Sequence, residues 1–293
     1  MTKDLTQGSP MKIIFQFALP MVLGTMFQQL YNMVDSIVVG NFVGSTALAA
    51  VGCSWPIIFM AIAVSSGLSS GTSIVAGQMF GAGKRRGIHS VFTTMLLFSA
   101  AVSVVITVLG SMFAEPILIA MNTPADVLGE ATAYLKIYFY GFLFMFCYNM
   151  QAAVFNALGD SRTPLYFLLI SSALNVLLDL LLVIRFPLGV AGVAWATLIA
   201  QAVSAVLAFF VLNRRLHAVA ETAQPQEEAG RFFDGSVLKL ALKMGLPAAV
   251  GTFSVSFASL LVQSLLNTFG SVYMAGYTGA NKIDNLIRMP RCV

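Results

Sequence analysis

The chain of 293 residues is 58% apolar and only 10% charged, with a mean hydropathy of +0.85, a balance that marks a polytopic membrane protein and excludes a water-soluble core. Its net charge of +4 does not signal nucleic acid, because the basic residues lie between apolar runs, where they set topology, and build no basic surface domain. Three scattered cysteines (Cys53, Cys147, Cys292) without a CxxC pair, and only two histidines, imply neither a disulfide framework nor a zinc site.

At ~20 apolar residues per span, the first predicted helix covers residues 13–38. It follows a short polar N-terminus and is too long for the apolar stretch of a cleaved signal, so it reads as a retained span. Gln28, Asn32 and Asp35 fall on it at i, i+4 and i+7 and share one face. Pro20 lies about four turns below Asp35, where a proline releases a backbone carbonyl and bends the helix, placing Asp35 above a hinge.

The second and third spans, 47–70 and 91–113, are joined by GQMFGAGKRRG, residues 77–87. Its glycines and basic residues resemble a phosphate loop, but the Walker spacing is missing and no Ser or Thr follows Lys84, so it reads as a turn anchored by positive charge. Nothing here suggests ATP hydrolysis. The fourth span, 127–154, offers Tyr134, Tyr138 and Asn149; the fifth, 164–184, carries Asn175 and Asp179 four apart; the sixth, 190–212, carries Thr197 and Gln201 four apart. Residues 213–236 have the composition of a linker. A seventh span covers 237–266 and an eighth begins near residue 272.

Lys3, Lys12, Lys84, Arg85, Arg86, Arg162, Arg214, Arg215 and Arg231 fall on one side of these spans. The other side holds little beyond Arg185, with Glu115, Asp126 and Glu130. The positive-inside rule then predicts a multi-pass protein of the cell membrane with a cytoplasmic N-terminus.

Two carboxylates inside spans are the costliest residues in the chain. A charge near the bilayer centre is unfavourable by ~2.5–3.5 kcal/mol on insertion scales, so the default reading of Asp35 and Asp179 is an ion or proton site. A lone Asn, Thr or Tyr in a span is more often interhelical glue. Gathered around the acids, however, amide and hydroxyl oxygens would complete an all-oxygen pocket suited to a hard cation or a shared proton. The 23 Phe and 15 Met supply material for an adaptable cavity, although most of them face lipid.

The chain also repeats itself. IIFQFALPMVLGT from Ile13 matches LALKMGLPAAVGT from Leu240, which aligns Pro20, Gly24 and Thr25 with Pro247, Gly251 and Thr252. After one gap, NFVGSTALA from Asn41 faces NTFGSVYMA from Asn267. Six spans separate the copies, so both enter the membrane in the same direction, a parallel repeat of the kind found in secondary transporters. The predicted organisation is a six-helix lobe (1–212), a cytoplasmic linker (213–236) and the start of a second lobe (237–293). Two complete copies need roughly 450 residues, so the expectation is a C-terminally incomplete chain.

In their order and spacing, ALPMVLGTMFQQLYNMVDSIVVG in the first span, VAGQMFGAGKRR after the second, NALGDSRTP after the fourth and the repeated proline-bearing start of the seventh resemble the multidrug and toxic compound extrusion (MATE) family of secondary antiporters. The resemblance implies an all-α fold whose two lobes enclose a central cavity, and a transporter rather than an enzyme. It implies exchange of amphipathic, often cationic small molecules for H⁺ or Na⁺, with no other cofactor or metal and no obligate protein partner besides the lipid bilayer. Carried over position by position, Asp35, Asn149, Asn175, Asp179 and Thr197 match a first-lobe cation site, and Pro20 matches a helix-one bend. Gln28, Asn32, Tyr134 and Gln201 are expected to line the cavity. The second-copy position matching Asp35 is near Val262 and has no carboxylate.

Two other readings stay open. A flippase for lipid-linked precursors shares this architecture but calls for a basic cavity, and the spans hold almost no Lys or Arg apart from Lys136. An intramembrane aspartyl protease also pairs two aspartates, yet its GxGD signature is absent, since Asp160 follows Ala157-Leu158-Gly159.

Overall fold

The structure, a computed structural model, describes residues 10–186, 188–221 and 231–288. Lys3, the middle of the expected linker and Cys292 lie outside the described residues. Eight helices follow one another: α1 (Pro10–Val38), α2 (Ser45–Gly81), α3 (Arg85–Ala120), α4 (Ala125–Ala157), α5 (Arg162–Leu180), α6 (Gly189–Glu221), α7 (Gly235–Asn267) and α8 (Ser271–Arg288). Short π-helical segments extend α1 (Val39–Val43) and α5 (Leu181–Arg185).

All eight expected helices are present, and most are longer than the hydropathy pattern indicates. α2 has 37 residues, α3 has 36 and α6 has 33, which at ~1.5 Å per residue reach well past a hydrocarbon layer of ~30 Å. Hydropathy marks only the lipid-buried stretch of a helix. The same effect corrects the linker boundary, because α6 continues through Arg214 and Arg215 to Glu221. Among the described residues, six helices, α2 to α7, are long and apolar enough to cross a membrane.

The first six helices pack around α4, which contacts α2, α3 and α6, while α5 bridges α6 and α1. α4 fills the centre with an aromatic ladder: Phe139 and Phe142 meet edge to face at 5.2 Å between centroids, and Phe142 and Phe146 at 6.2 Å. α2 and α6 are rich in small buried residues, among them Ala49, Ala50, Ala63, Ala194, Ala196 and Ala200, which let neighbouring helices approach closely.

The ends of α1, α5 and α6 are tied together by the turn between α4 and α5. Asp160 accepts from the N–H groups of Arg162 and Thr163, both at 3.1 Å, and from the Thr163 hydroxyl at 2.6 Å, capping α5. Arg215 of α6 forms an ion pair with the same carboxylate, and its guanidinium lies 5.4 Å from the Phe155 ring. Ser161 donates to the Phe17 carbonyl of α1 at 2.8 Å. Burial works against the charged form of Asp160, but the Thr163 hydroxyl and N–H and the Arg215 guanidinium more than offset it, holding the carboxyl below the usual carboxylate range.

α7 lies along α2 in the most extensive helix pair of the molecule, and α8 crosses α2. The α2–α7 approach needs glycine: a Cβ on Gly71 would come within 2.1 Å of the Ala241 carbonyl, and one on Gly245 within 2.1 Å of the Gly67 carbonyl. The internal repeat is visible in the backbone, since the turns after the first helix of each copy are made by Gly44 (φ 125°) and Gly270 (φ 92°), conformations that other residues rarely adopt. The repeat also pairs Gly52 with Thr278, and these two positions touch: a Cβ on Gly52 would lie 1.9 Å from Thr278 Oγ1. Residues related by a two-fold meet each other only on its axis, so the pseudo-symmetry axis runs through the α2–α8 crossing.

Candidate functional site

The polar face of α1 turns into the six-helix lobe opposite α5 and α6. Asp35 meets Asn175 and Asp179 from α5 and Thr197 from α6, while Tyr134 and Tyr138 from α4 close the site. Asn175 is 2% exposed and Asp179 is fully buried. Both helices that bring a carboxylate switch to π-helical winding just beyond it, after Asp35 at Val39 and after Asp179 at Leu181, and the two π segments touch. Such wide turns interrupt the regular helix ladder and recur at functional sites.

The amide of Asn175 serves Asp35 in either charge state. Against an ionised Asp35, Nδ2–H donates to Asp35 Oδ1 at 2.9 Å, and Oδ1 accepts from the Thr197 hydroxyl at 3.3 Å. Against a protonated Asp35 the amide reverses: Oδ1 accepts from the acid, Nδ2–H donates to Thr197 Oγ1 at 3.3 Å, and Thr197 donates to the Val193 carbonyl at 3.1 Å. Switching between the two chains turns the amide over by 180° in place, against the same neighbours.

Asp179 is different. Among the described residues neither of its oxygens finds a donor other than the Asp35 carboxyl, which lies within hydrogen-bonding reach. Two full negative charges ~4 Å apart repel by about 4 kcal/mol even at an effective dielectric of ~20, so a proton or a cation must accompany at least one of them. A pocket of about 20 Å³ beside Asp35, walled by Asn32, Ser36, Tyr134, Tyr138 and Thr197, has room for one water-sized species.

A second cavity of about 290 Å³ adjoins this pocket and shares Asn32, Trp55 and Tyr138 with it. Gln28, Tyr31, Gln201 and Asn149 also line it. Asn149 therefore does not join the acids; its Nδ2 donates to Ser65 Oγ at 2.8 Å in the neighbouring chamber. Tyr134 walls the acid pocket and not the larger cavity. Pro20 lies inside an unbroken α1, well below the site. Sequence reasoning missed Tyr31 and Trp55. Tyr31 had a signal, since it falls between Gln28 and Asp35 on the same helix face, and Gln28 hydrogen-bonds to it. Trp55 had none, because nothing in the pattern of α2 shows which of its faces looks into a cavity.

Membrane-long helices thus shelter a carboxylate pair beside a ligand-sized cavity. The chain belongs to the MatE family, whose model matches residues 20–181. Among curated relatives it is 32% identical over 295 residues to the probable multidrug resistance protein YoeA of Bacillus subtilis, and 25% identical over 284 residues to the probable multidrug resistance protein NorM of Thermotoga maritima. These alignments cover 99% and 95% of this chain but 63% and 60% of the relatives. The chain thus spans less than two thirds of their length. Among solved structures it superposes on the MATE multidrug transporter DinF-BH with a TM-score of 0.84 and 26% identity, covering 98% of this chain and 64% of that one. An outward-facing MATE transporter gives a TM-score of 0.83 at 26% identity, covering 100% of this chain and 64% of that one.

Proposed function

We propose that this chain supplies the ion-coupling lobe of an antiporter that exports amphipathic, cationic small molecules in exchange for H⁺ or Na⁺, from a membrane protein whose N-terminus is cytoplasmic. The observation that carries the reading is the buried contact between Asp35 and Asp179, in which Asp179 has no other described donor. A site that must take up a positive charge, and whose neighbour amide accepts either charge state, is built to load and release one. The adjoining cavity offers amide, hydroxyl and aromatic surfaces in a volume suited to a small ligand. In that orientation, Arg85, Arg86, Arg162 and Arg215 cluster at the cytoplasmic end of the bundle.

Among the described residues lining the two pockets none is Lys or Arg, which favours cationic cargo over the pyrophosphate of a lipid-linked precursor. The test is a chimaera in which this chain is continued by the remaining second-lobe helices of the Bacillus subtilis relative. In vesicles with an imposed H⁺ or Na⁺ gradient, the chimaera is expected to move a fluorescent organic cation, and Asp35→Asn or Asp179→Asn to abolish gradient-driven movement. Undiminished transport by both variants would refute the assignment of the acids.

A further inference from the structure

Trp55 stands where three spaces meet. Trp55 lines the small pocket at Asp35, the 290 Å³ cavity of the first lobe and a third cavity of about 550 Å³ between α2, α7 and α8. Among the described residues, Trp55 is the one common to all three linings. Phe59 holds it edge to face at 5.3 Å between centroids and faces the third cavity with it. The acid-bearing polar face of that third cavity is Asp284, Asn281 and Gln263.

The helix beneath the ring is softened. Pro56 follows Trp55 inside α2, so the Gly52 carbonyl loses its usual i+4 donor. Gly52 is also the residue that touches Thr278 across the α2–α8 crossing. A change in how α8 leans on α2 is therefore applied one turn from the indole, at the point where α2 yields most easily.

We propose that Trp55 is the positioning residue through which cargo and coupling ion exclude one another: an aromatic cation stacked on the indole in either larger cavity holds the ring against the Asp35 pocket, and an ion in that pocket holds it away. The proposal rests on the antiporter reading above. An indole face attracts organic cations, and a single rigid ring that walls both sites cannot satisfy both occupants in one position.

The experiment uses the 293-residue chain in detergent with Trp195→Phe, which leaves Trp55 as the sole tryptophan. Binding of a rhodamine dye, a fluorescent aromatic cation, is followed by anisotropy, and Trp55 emission is recorded in parallel, at pH 6 and pH 8 and with NaCl or choline chloride. The parent is expected to quench on dye addition and to bind the dye about fivefold or more weakly in one ion condition than in its counterpart. Trp55→Ala is expected to bind dye with that ion dependence lost, and Trp55→Phe to restore it. A Trp55→Ala protein that keeps the parent's ion dependence overturns the role of Trp55 and leaves the antiporter reading standing. A parent that binds dye with no ion dependence, or binds none, overturns both.

Discussion

Asp179 is held at a cost that its surroundings do not repay in the folded chain. Its one described partner is the Asp35 carboxyl, and a buried oxygen left without a donor is unfavourable by about 1–3 kcal/mol, more when charged. Asp179→Leu, which keeps the bulk and removes both oxygens, is therefore expected to raise the melting temperature of the detergent-solubilised chain while removing any response of the site to pH or Na⁺. A lower melting temperature would mean that the contact with Asp35 more than offsets this cost. The same reasoning made the acids legible in the sequence, because their cost in lipid is a property of the residue alone. Tyr31 and Trp55 were not legible for the opposite reason: aromatic side chains are inexpensive anywhere in a membrane helix, and among 23 Phe, 8 Tyr and 2 Trp only packing tells which ones face a cavity. Asn149 shows the limit from the other side, since its spacing from the remaining site residues says nothing about the Ser65 hydroxyl that captures it.

At the scale of helices, two joints hold the bundle in register. The α4–α5 turn is one. Asp160→Asn loses the ion pair to Arg215 and is expected to lower unfolding free energy by about 1.5–3 kcal/mol, the usual worth of hydrogen bonds to a charged group. The folded-state pKa of Asp160 is depressed, so its contribution is complete above the ordinary carboxylate value of ~3.9 and is lost as pH falls below it. The stability gap between parent and variant should then be constant near neutrality and close in strong acid, as read from denaturation at a series of pH values. The α2–α7 seam is the other joint. Gly71→Ala places a carbon 2.1 Å from the Ala241 carbonyl, a clash with backbone that only helix separation relieves, at a cost of about 1–3 kcal/mol. Gly77→Ala, whose added carbon meets nothing within 4 Å, is the control and should melt at or slightly above the parent, since alanine is the better helix former. Element existence was readable from hydropathy, whereas the π segments after Asp35 and Asp179 were not, since one extra residue in a turn leaves the apolar pattern of its helix intact.

For the molecule as a whole, the repeat was the most informative signal in the sequence, because it stated a symmetry that no single helix contains. It also showed that the copies differ at their functional centre, since the second copy has no carboxylate near Val262, where the first has Asp35. The first copy carries Asp35 and leaves α1 through a π segment, while α7 ends at Asn267 without one and pins that end to the first lobe, with Asn267 donating to the Met121 carbonyl at 2.8 Å and receiving a bond from Gln263 at 2.9 Å. The two copies differ in their structural roles, one carrying the paired acids and the other bracing against its neighbour.

The meeting of Gly52 with Thr278 carries that divergence back to its origin. Two identical halves facing each other across an axis must present the same side chain to itself at this spot; a pair of threonines would collide there and a pair of glycines would leave a gap. The junction packs tightly only because it departs from exact symmetry, with glycine on one side and threonine on the other. The two positions should accordingly behave as a single inherited unit, with exchange of Gly52 and Thr278 tolerated together and neither substitution tolerated alone.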